Sequence, residues 1–479
     1  MVLTAIPAGR SVYFLKSSIG DVYPVYIYKQ TTEAAADSSV LYVDDDIGNA
    51  EGTVAFYNGT DVTFITSGTN GFSTVAAAVE KANTMNGSTV YFAPGHYSVN
   101  TTANEVIFTK DVTLLGNNHD VSAVEIKTPN WAQAGRRAES VIDGSFVFEA
   151  KGDISVTVKG FTLEGTSVQG PIYINDPSSG AATRAKHLQT VDIQNNIITG
   201  SGNGQGSIPA TVKAYSGAMV TGVVKNNYFR CTANQFAITN GYTRATAFKN
   251  ANELTLEGNF FIGYEVVNVF TGHVSDAVAG YCRYSVVSNR FEHCGTSRNY
   301  VKGITADTSA YILYNNNDFV RSGGSGYDTN YAVDFIFDEN ALPNDFSNIK
   351  ISVLRNNFYD CFRSLQFSRI ANTKQIGNMA EMVLKVKANN FIQPTEGKWS
   401  KHFHSIRFSF LVDTTYTHNV SVPDTMWDFS QNTFQSKYLD MEDLPGEDAT
   451  NPAFNYVYSK VTYNGVSGES FELTAKHFN

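Results

Sequence analysis

One short phrase recurs through the middle of the chain and limits its fold more than any other feature. In each copy, alternating β-forming residues lead to an Asn or Gly, then an Asn, then one more residue and an apolar one, as in GVVKNNYF from Gly222 and LTLEGNFF from Leu254. The second position of the eight copies is Asn196, Asn227, Asn259, Asn289, Asn317, Asn357, Asn390 and Asn432, at spacings of 28 to 42 residues. A constant phrase with variable inserts is typical of repeat proteins, in which one structural unit is stacked on itself.

The pattern within the phrase indicates two short β-strands joined at a bend. Side chains alternate with a period of two on both sides of the Asn. Asn tolerates the left-handed backbone of a tight bend, and its amide can hydrogen-bond the equivalent Asn of the next repeat. Helical periodicity is scarce, and about 30 residues per repeat is too short for a four-stranded propeller blade. We therefore predict an all-β solenoid whose successive turns stack at about 4.8 Å.

Several segments resemble one superfamily. The Asn ladder, the phrase GFTL at Gly160 and the opening GFSTVAAAVEKANTMNGSTVYFAPGHYSV resemble the pectate-lyase-like, right-handed parallel β-helix superfamily. The resemblance implies such a solenoid over roughly residues 70 to 435. It also implies a capping helix over Phe72–Met85 whose inward residues are Val75, Ala78, Val79 and Ala82. Because the superfamily includes lyases, hydrolases, esterases, phage tailspikes and adhesins, this fold alone does not give the activity.

The chain divides into three predicted segments. Residues 1–69 form a small N-terminal β subdomain or cap with two hairpins, residues 70–437 the β-helix, and residues 438–479 a C-terminal cap. Asp44, Asp45 and Asp46, with Gly48 and Glu51, offer oxygen ligands for calcium. Their spacing matches no complete calcium loop, so an exposed acidic turn is the favoured interpretation and no cofactor is expected.

Composition excludes several classes of partner. The formal net charge of −10 argues against a binder of nucleic-acid backbones. No apolar run is long enough to span a membrane, and the start MVLTAIPAGRSVYF lacks the features of a secretory signal peptide. The 4 cysteines form no CxxC pair, and we expect all of them to be thiols. His402 and His404 have no third ligand placed by the sequence, so no metal site is predicted.

The register of the repeat separates core residues from surface residues. If the second Asn lies at the bend, the residue two positions later points inward. The predicted inner stack is Ile198, Phe229, Phe261, Phe291, Phe319, Tyr359, Ile392 and Phe434. Intervening positions then form one outer face, which carries Tyr228, Arg230, Phe260, Arg290, Glu292, Asp318, Phe358 and Asp360. Aromatic rings interleaved with charges are typical of a glycan cleft, although a solvated face under inserted loops fits the same pattern.

Candidate catalytic residues come from this face and from a long insert after Asn317. Glycoside hydrolysis needs one protonated and one ionised carboxyl, and Glu292 and Asp318 occupy adjacent coils. The insert adds Asp334 and Asp338, which we expect to wall the same groove. For β-elimination, Arg290, Arg298, Lys302 or Arg321 would take the proton. The superfamily's polygalacturonase pattern (NTD, DD, GHG) and its lyase phrase (WIDH) are both absent.

Two functions from different classes stay open. The first is an extracellular protein that binds or cleaves a polysaccharide, with Tyr228, Arg230, Phe260, Arg290 and Arg321 contacting the sugar. The second is a structural or adhesive protein, such as a phage fibre or tailspike or a surface-layer component, located on the virion or cell surface. An enzyme of this kind is expected to be a monomer, and a fibre protein a trimer or polymer.

Overall fold

The computed structural model describes most of the solenoid and parts of both ends. The described residues are 9–16, 22–29, 39–48, 52–57, 62–101, 106–127, 130–165, 170–178, 187–200, 206–210, 219–231, 244–249, 251–271, 281–302, 309–323, 331–338, 348–361, 363–369, 382–392, 404–408, 427–435, 457–458, 462–464 and 470–472. Within them, nearly every strand lies parallel to its equivalent in the neighbouring coil. The predicted all-β, right-handed parallel β-helix is confirmed.

Three long parallel sheets form the walls of the solenoid. The first consists of Val40–Val43, Gly71–Phe72, Ser88–Phe92, Val112–Leu115, Ile154–Lys159, Leu188–Gln194, Met219–Lys225, Ala251–Glu257, Tyr281–Val287, Ser309–Asn315, Ile349–Leu354, Val383–Lys387 and Trp427–Asp428. The second consists of Gly95–Val99, Ser140–Gly144, Phe161–Gly165, Ile197–Gly200, Tyr228–Cys231, Phe260–Ile262, Arg290–Glu292, Asp318–Val320, Asn357–Tyr359, Asn390–Ile392 and Thr433–Gln435. The third consists of Ile107–Phe108, Phe146–Glu149, Ile172–Asn175, Gly206–Ala210, Arg244–Lys249, Val266–Thr271, Thr296–Lys302, Val333–Asp338, Arg363–Arg369, His404–Phe408 and Val457–Tyr458.

The N-terminal end is closed by a short helix, as predicted. The helix spans Val75–Ala82 and begins at Thr74, whose Oγ1 accepts a hydrogen bond from the Ala77 amide at 3.3 Å. All four predicted inward residues of this helix are buried in the main core. A 3₁₀ turn, Asp45–Ile47, lies upstream of the helix.

Within the described ranges, four antiparallel hairpins lie outside the three sheets. Those of Gly9–Lys16 with Val22–Lys29 and of Thr53–Tyr57 with Val62–Thr66 confirm the two predicted for the N-terminal segment. The others pair Val124–Lys127 with Asn130–Gln133, and Thr462–Asn464 with Ser470–Glu472. Since Val40–Val43 pairs with Ser88–Phe92, the first sheet starts upstream of the predicted boundary at residue 70.

A buried ladder of asparagines marks the bend between the first and second sheets. From Asn227 onward, each Oδ1 accepts hydrogen bonds from the backbone N–H and the side chain of the previous ladder Asn, and the side-chain bonds measure 2.8–3.1 Å. Each Nδ2 also donates to a backbone carbonyl of the preceding coil, as Asn289 does to Leu256 at 2.9 Å. The ladder comprises Asn196, Asn227, Asn259, Asn289, Asn317, Asn356, Asn389 and Asn432.

Two predicted positions in this ladder are wrong by one residue. Asn356 and Asn389 occupy the ladder, whereas Asn357 and Asn390 belong to the second sheet. The left-handed residue of the bend is also not the ladder Asn but the residue before it, such as Asn226 with φ 55° or Ser288 with φ 54°. At each bend, the buried side-chain amide of the ladder Asn makes the hydrogen bonds, and the residue before it adopts the left-handed backbone angle.

A continuous stack of phenylalanines fills the interior beside the second sheet. Neighbouring rings lie nearly parallel with centroids 4.5–5.2 Å apart. The stack comprises Phe229, Phe261, Phe291, Phe319, Phe358 and Phe391. The prediction is confirmed through Phe319, but Tyr359 and Ile392 are wrong because the one-residue shift turns them to the opposite face. Tyr359 is 39% exposed, whereas Phe358 is 1% exposed.

The four cysteines, all within the described part of the chain, are thiols rather than disulfides, as predicted. Cys294 and Cys361 occupy equivalent positions two coils apart, with Ser322 in the intervening coil. Their Sγ atoms lie 3.5 and 3.3 Å from the carbonyl oxygens of Phe261 and Phe319. Burial raises the pKa of each of these two thiols to about 12.

Candidate functional site

The outer face of the second sheet carries two rows of side chains on either side of the buried phenylalanines. The strand register aligns equivalent residues of successive coils. The first outer row, next to the Asn ladder, contains Ile197, Tyr228, Phe260, Arg290, Asp318, Asn357, Asn390 and Thr433. The second outer row contains Thr199, Arg230, Ile262, Glu292, Val320, Tyr359 and Ile392. Six of the nine predicted site residues therefore lie in these two rows.

Arg290 lies at the centre of this group. Its Nε and Nη2 atoms donate to Glu292 Oε2 at 3.0 and 2.8 Å, which forms an ion pair within one strand. Its guanidinium carbon lies 5.9 Å from the centroid of the Phe260 ring in the preceding coil. Asp318 is its register partner in the following coil. One cation thus lies near an aromatic ring, is paired with Glu292 and is the register neighbour of Asp318.

Asp318 lies half-buried beside Arg290 in the first outer row. Burial raises the pKa of this carboxyl above its usual value, while Arg290 and a hydrogen bond from the Asn357 side chain oppose the rise. Glu292 lies two positions further along the neighbouring strand, diagonally across the pair. Lateral and axial strand spacings put the two Cα atoms about 8 Å apart. The two carboxyls therefore occupy different environments within reach of one ligand.

Tyr228 and Phe260 lie on the N-terminal side of Arg290 in the first outer row. Their rings make an edge contact with centroids 5.4 Å apart. Burial raises the pKa of Tyr228, Arg230 opposes this rise, and Glu292 adds to it. Since Arg230 and Glu292 both affect Tyr228 electrostatically, these side chains belong to one neighbourhood.

A third aromatic residue, Trp131, belongs to this group and was missed in the sequence. It lies on the hairpin of Val124–Lys127 with Asn130–Gln133, and its ring centroid is 6.3 Å from that of Phe260. The hairpin belongs to a segment of residues 117–139, here called the bend insertion. This segment is inserted at the bend between the first-sheet strand Val112–Leu115 and the second-sheet strand Ser140–Gly144. The sequence signal for this insertion is the long separation along the chain between VTLL at Val112 and the next strand of the second sheet, Ser140–Gly144. Nothing in the sequence shows which coils the insertion contacts.

Gly160 explains how the bend insertion leaves the solenoid. Its φ of 81° is left-handed, and a Cβ added there would lie 2.0 Å from the His119 amide nitrogen. Only glycine permits this close approach of two backbones. The glycine of the GFTL phrase thus supports the first residues of the insertion.

The remaining predicted site residues lie elsewhere. Asp334 belongs to the third sheet, where its register partners are Arg298 and Gln366, and Gln366 Nε2 donates to its Oδ1 at 3.4 Å. Asp338 lies in the same strand, and its side chain is outside the described residues. The expectation that these two carboxylates wall the groove is therefore wrong for Asp334, because the chain bends between the second and third sheets.

That second bend also holds Arg321 and Asp360. Both have left-handed backbones, with φ of 49° and 55°, and Arg321 Nε donates to Asp360 Oδ2 at 3.2 Å. Asp360 and the buried Phe358 are thus wrong as members of the outer face. Arg321 lies one residue beyond the second outer row and borders the site.

The described residues include no group of three or more His, Cys, Asp or Glu arranged to hold a metal ion. In the acidic turn, Asp44 Oδ1 accepts a hydrogen bond from the Asp46 amide at 3.0 Å and caps the 3₁₀ turn. Burial raises the pKa of Asp44. His402 and the side chain of His404 lie outside the described residues.

Fold and site together define a parallel β-helix protein with an aromatic and charged face on its second sheet. Compared with protein-family models, curated proteins and solved structures, the chain matches none of them. Among the described residues, no helix has the length and apolar character needed to cross a membrane.

Proposed function

We propose that the protein binds a polysaccharide on the two outer rows of the second sheet and hydrolyses it there. The observation that carries the proposal is the position of Arg290 between the Phe260 ring, Glu292 and Asp318. Aromatic rings offer apolar surface to sugar faces, and neighbouring charges bind sugar hydroxyls and carboxylates. Successive coils repeat this chemistry at about 4.8 Å, which suits a ligand that is itself a repeating chain.

Hydrolysis is the reaction that fits the two carboxyls. Asp318, whose pKa is raised by burial, is the candidate proton donor to the leaving oxygen. Glu292, paired with Arg290, is the candidate carboxylate that activates a water molecule. Pairs of acids whose environments differ in this way supply the acid and base of glycoside hydrolysis. Elimination is less well supported, because the guanidinium of Arg290 already donates to Glu292.

We also propose that the chain belongs to the pectate-lyase-like superfamily and acts outside the cell. Membership of the pectate-lyase-like superfamily is supported by the parallel coils, the capping helix and the Asn ladder. An extracellular location follows from a polysaccharide substrate, since such polymers lie mainly outside cells.

A panel of polygalacturonate, alginate, hyaluronan and xylan tests the proposal. Binding is measured by co-sedimentation, hydrolysis by new reducing ends, and elimination by the ultraviolet absorbance of unsaturated products. We expect Asp318→Asn to abolish turnover and keep binding, and Phe260→Ala to weaken binding. The matched control is Asp192→Asn, which removes a carboxylate paired with Lys159 on the first sheet. Full activity of Asp318→Asn, or no binding to any member, would contradict the proposal.

The alternative, a structural or adhesive fibre protein, is an outcome of the same experiments. A structural or adhesive fibre protein should form a stable trimer or polymer and release neither reducing ends nor unsaturated products from the four polymers. Light scattering on the full chain distinguishes this state from the monomer expected of a hydrolase.

A further inference from the structure

Exposure along the first outer row is not uniform. Toward the N-terminal end, Ile197 and Phe260 are only 8% and 4% exposed although both side chains point away from the core, and Tyr228 between them is half-buried. Arg290, Asp318 and Asn357 are half-buried, and Asn390 and Thr433 are exposed. The row is therefore most covered at Ile197 and Phe260 and is open only from Asn390 onward.

The bend insertion covers the closed end. Trp131 contacts Phe260, the Ala123 amide donates to Asn226 O at 3.2 Å, and Asn195 Nδ2 donates to His119 O at 2.8 Å. These contacts reach three successive coils beyond the point where the insertion leaves the solenoid.

A buried ion pair fixes the base of the insertion. The Arg136 side chain is 1% exposed and its Nη2 donates to Glu139 Oε2 at 2.6 Å. The same guanidinium donates to the carbonyl oxygens of Asn195 and, at 3.3 Å, Phe161. Its Nε also donates to Glu139 Oε1 at 2.9 Å, so a buried arginine with four acceptors holds the insertion on the second sheet.

These contacts decide how a long ligand can lie on the site. A polymer centred on Arg290 can continue over Asn357 and Asn390, where the row is polar and accessible. In the opposite direction along this row, Trp131 and its hairpin occupy the space above Phe260. The site is therefore open along the first row at one end and blocked at the other.

We propose that the protein engages its polysaccharide at a chain end, and this inference rests on the proposed function. The terminal sugar lies against Trp131 and Phe260, the bond next to it lies at Glu292 and Asp318, and the rest of the chain runs toward Thr433. Trp131 is the residue that determines this specificity.

The number of chain ends tests the inference. The Asp318→Asn variant, which leaves the polymers intact, is titrated with short and long fractions of the same four polysaccharides at equal mass. Binding to chain ends makes capacity per gram double when chain length is halved. Capacity per gram that is independent of chain length would overturn the inference and leave the proposed function standing. Absence of binding to every fraction would overturn both.

Variants of the hairpin give a second readout. Trp131→Ala uncovers Phe260, so its capacity per gram should lose most of its dependence on chain length. Lys127→Ala is the matched control, because Lys127 lies on the opposite face of the same hairpin with its side chain 64% exposed. If Trp131→Ala keeps the full dependence while melting like the parent chain, Trp131 is not the blocking residue. The fraction experiment needs no variant of the hairpin and decides the inference if Trp131→Ala does not fold.

Discussion

At the scale of single residues, neighbouring asparagines with the same side chain occupy unlike environments. Asn356 is fully buried and bonds to Tyr314 O and to Asn389 Oδ1, both at 3.0 Å. Asn357 lies on the outer face beside Asp318. The repeat phrase alone fits either member of the pair, because each has an aromatic residue two positions later, Phe358 or Tyr359. Counting from the buried Val353 of the first sheet resolves the choice, since Val224 also precedes its ladder residue, Asn227, by three positions.

The pair gives a matched test of the ladder. Asn356→Ala should lower the free energy of unfolding by about 3 kcal/mol or more, because several buried partners lose their hydrogen bonds at about 1–3 kcal/mol each. Asn357→Ala should cost less than about 1 kcal/mol, because its position is partly solvated. Urea unfolding followed by circular dichroism measures both. Equal losses in the two variants would contradict the ladder assignment.

Asp318 should make stability depend on pH. Its pKa is raised above 3.8 in the folded state, so the folded chain holds this proton more tightly than the unfolded chain does. The free energy of unfolding therefore falls as the pH rises through the window above 3.8. Asp318→Asn removes this dependence, so its melting temperature relative to the parent should rise between pH 3.5 and pH 7. A difference that stays constant across this range would count against a raised pKa at Asp318.

At the scale of elements, the three-residue strands of the second sheet from Phe260–Ile262 to Asn390–Ile392 each contribute one buried ring and two outer side chains. The first outer row was predictable through Asp318 because the period of two is strict in these strands. The bend insertion was not predictable, because its sequence lacks the repeat and its contacts are with coils distant in the chain. Asp334 was misplaced for a related reason, since nothing in the sequence marks the second bend as clearly as the asparagines mark the first.

Removing a ring from the phenylalanine stack should lower the free energy of unfolding far more than removing an outer ring does. Phe291 is 1% exposed and stacks between Phe261 and Phe319, so Phe291→Ala should cost about 3–5 kcal/mol. Tyr359→Ala, which removes an exposed ring of similar size, should cost less than about 1 kcal/mol. Chemical denaturation of the two variants measures the difference. A midpoint unchanged by Phe291→Ala would show that the stack does not stabilise the fold.

At the scale of the whole molecule, the interior is one continuous core from the capping helix to Phe429. This continuity follows from the repeat itself, which is why the fold class could be predicted from the sequence. The ends could be predicted only in part, because they lack the repeat. Because the cysteines lie in different coils, the reactivity of each thiol measures how exposed that part of the core is.

Thiol labelling measures how far the core opens in the native state. Cys282, Cys294 and Cys361 are buried and Cys231 is half-buried, so Cys231 should react first with a maleimide at pH 7.5. The raised pKa of Cys294 and Cys361 slows these two further, because the thiolate is the reactive form. Mass spectrometry of digested samples identifies each labelled residue. Rapid labelling of Cys294 before global unfolding would contradict a closed core.

The direction of the hydrogen bonds gives the molecule a particular mechanical character. Bonds between coils run along the solenoid axis, so a force pulling the two ends apart loads them one after another instead of together. The chain should yield by peeling, coil by coil. Each released coil of about 30 residues lengthens the tether by about 100 Å. Such stepwise lengthening would let the protein absorb repeated tension while its remaining coils stay folded.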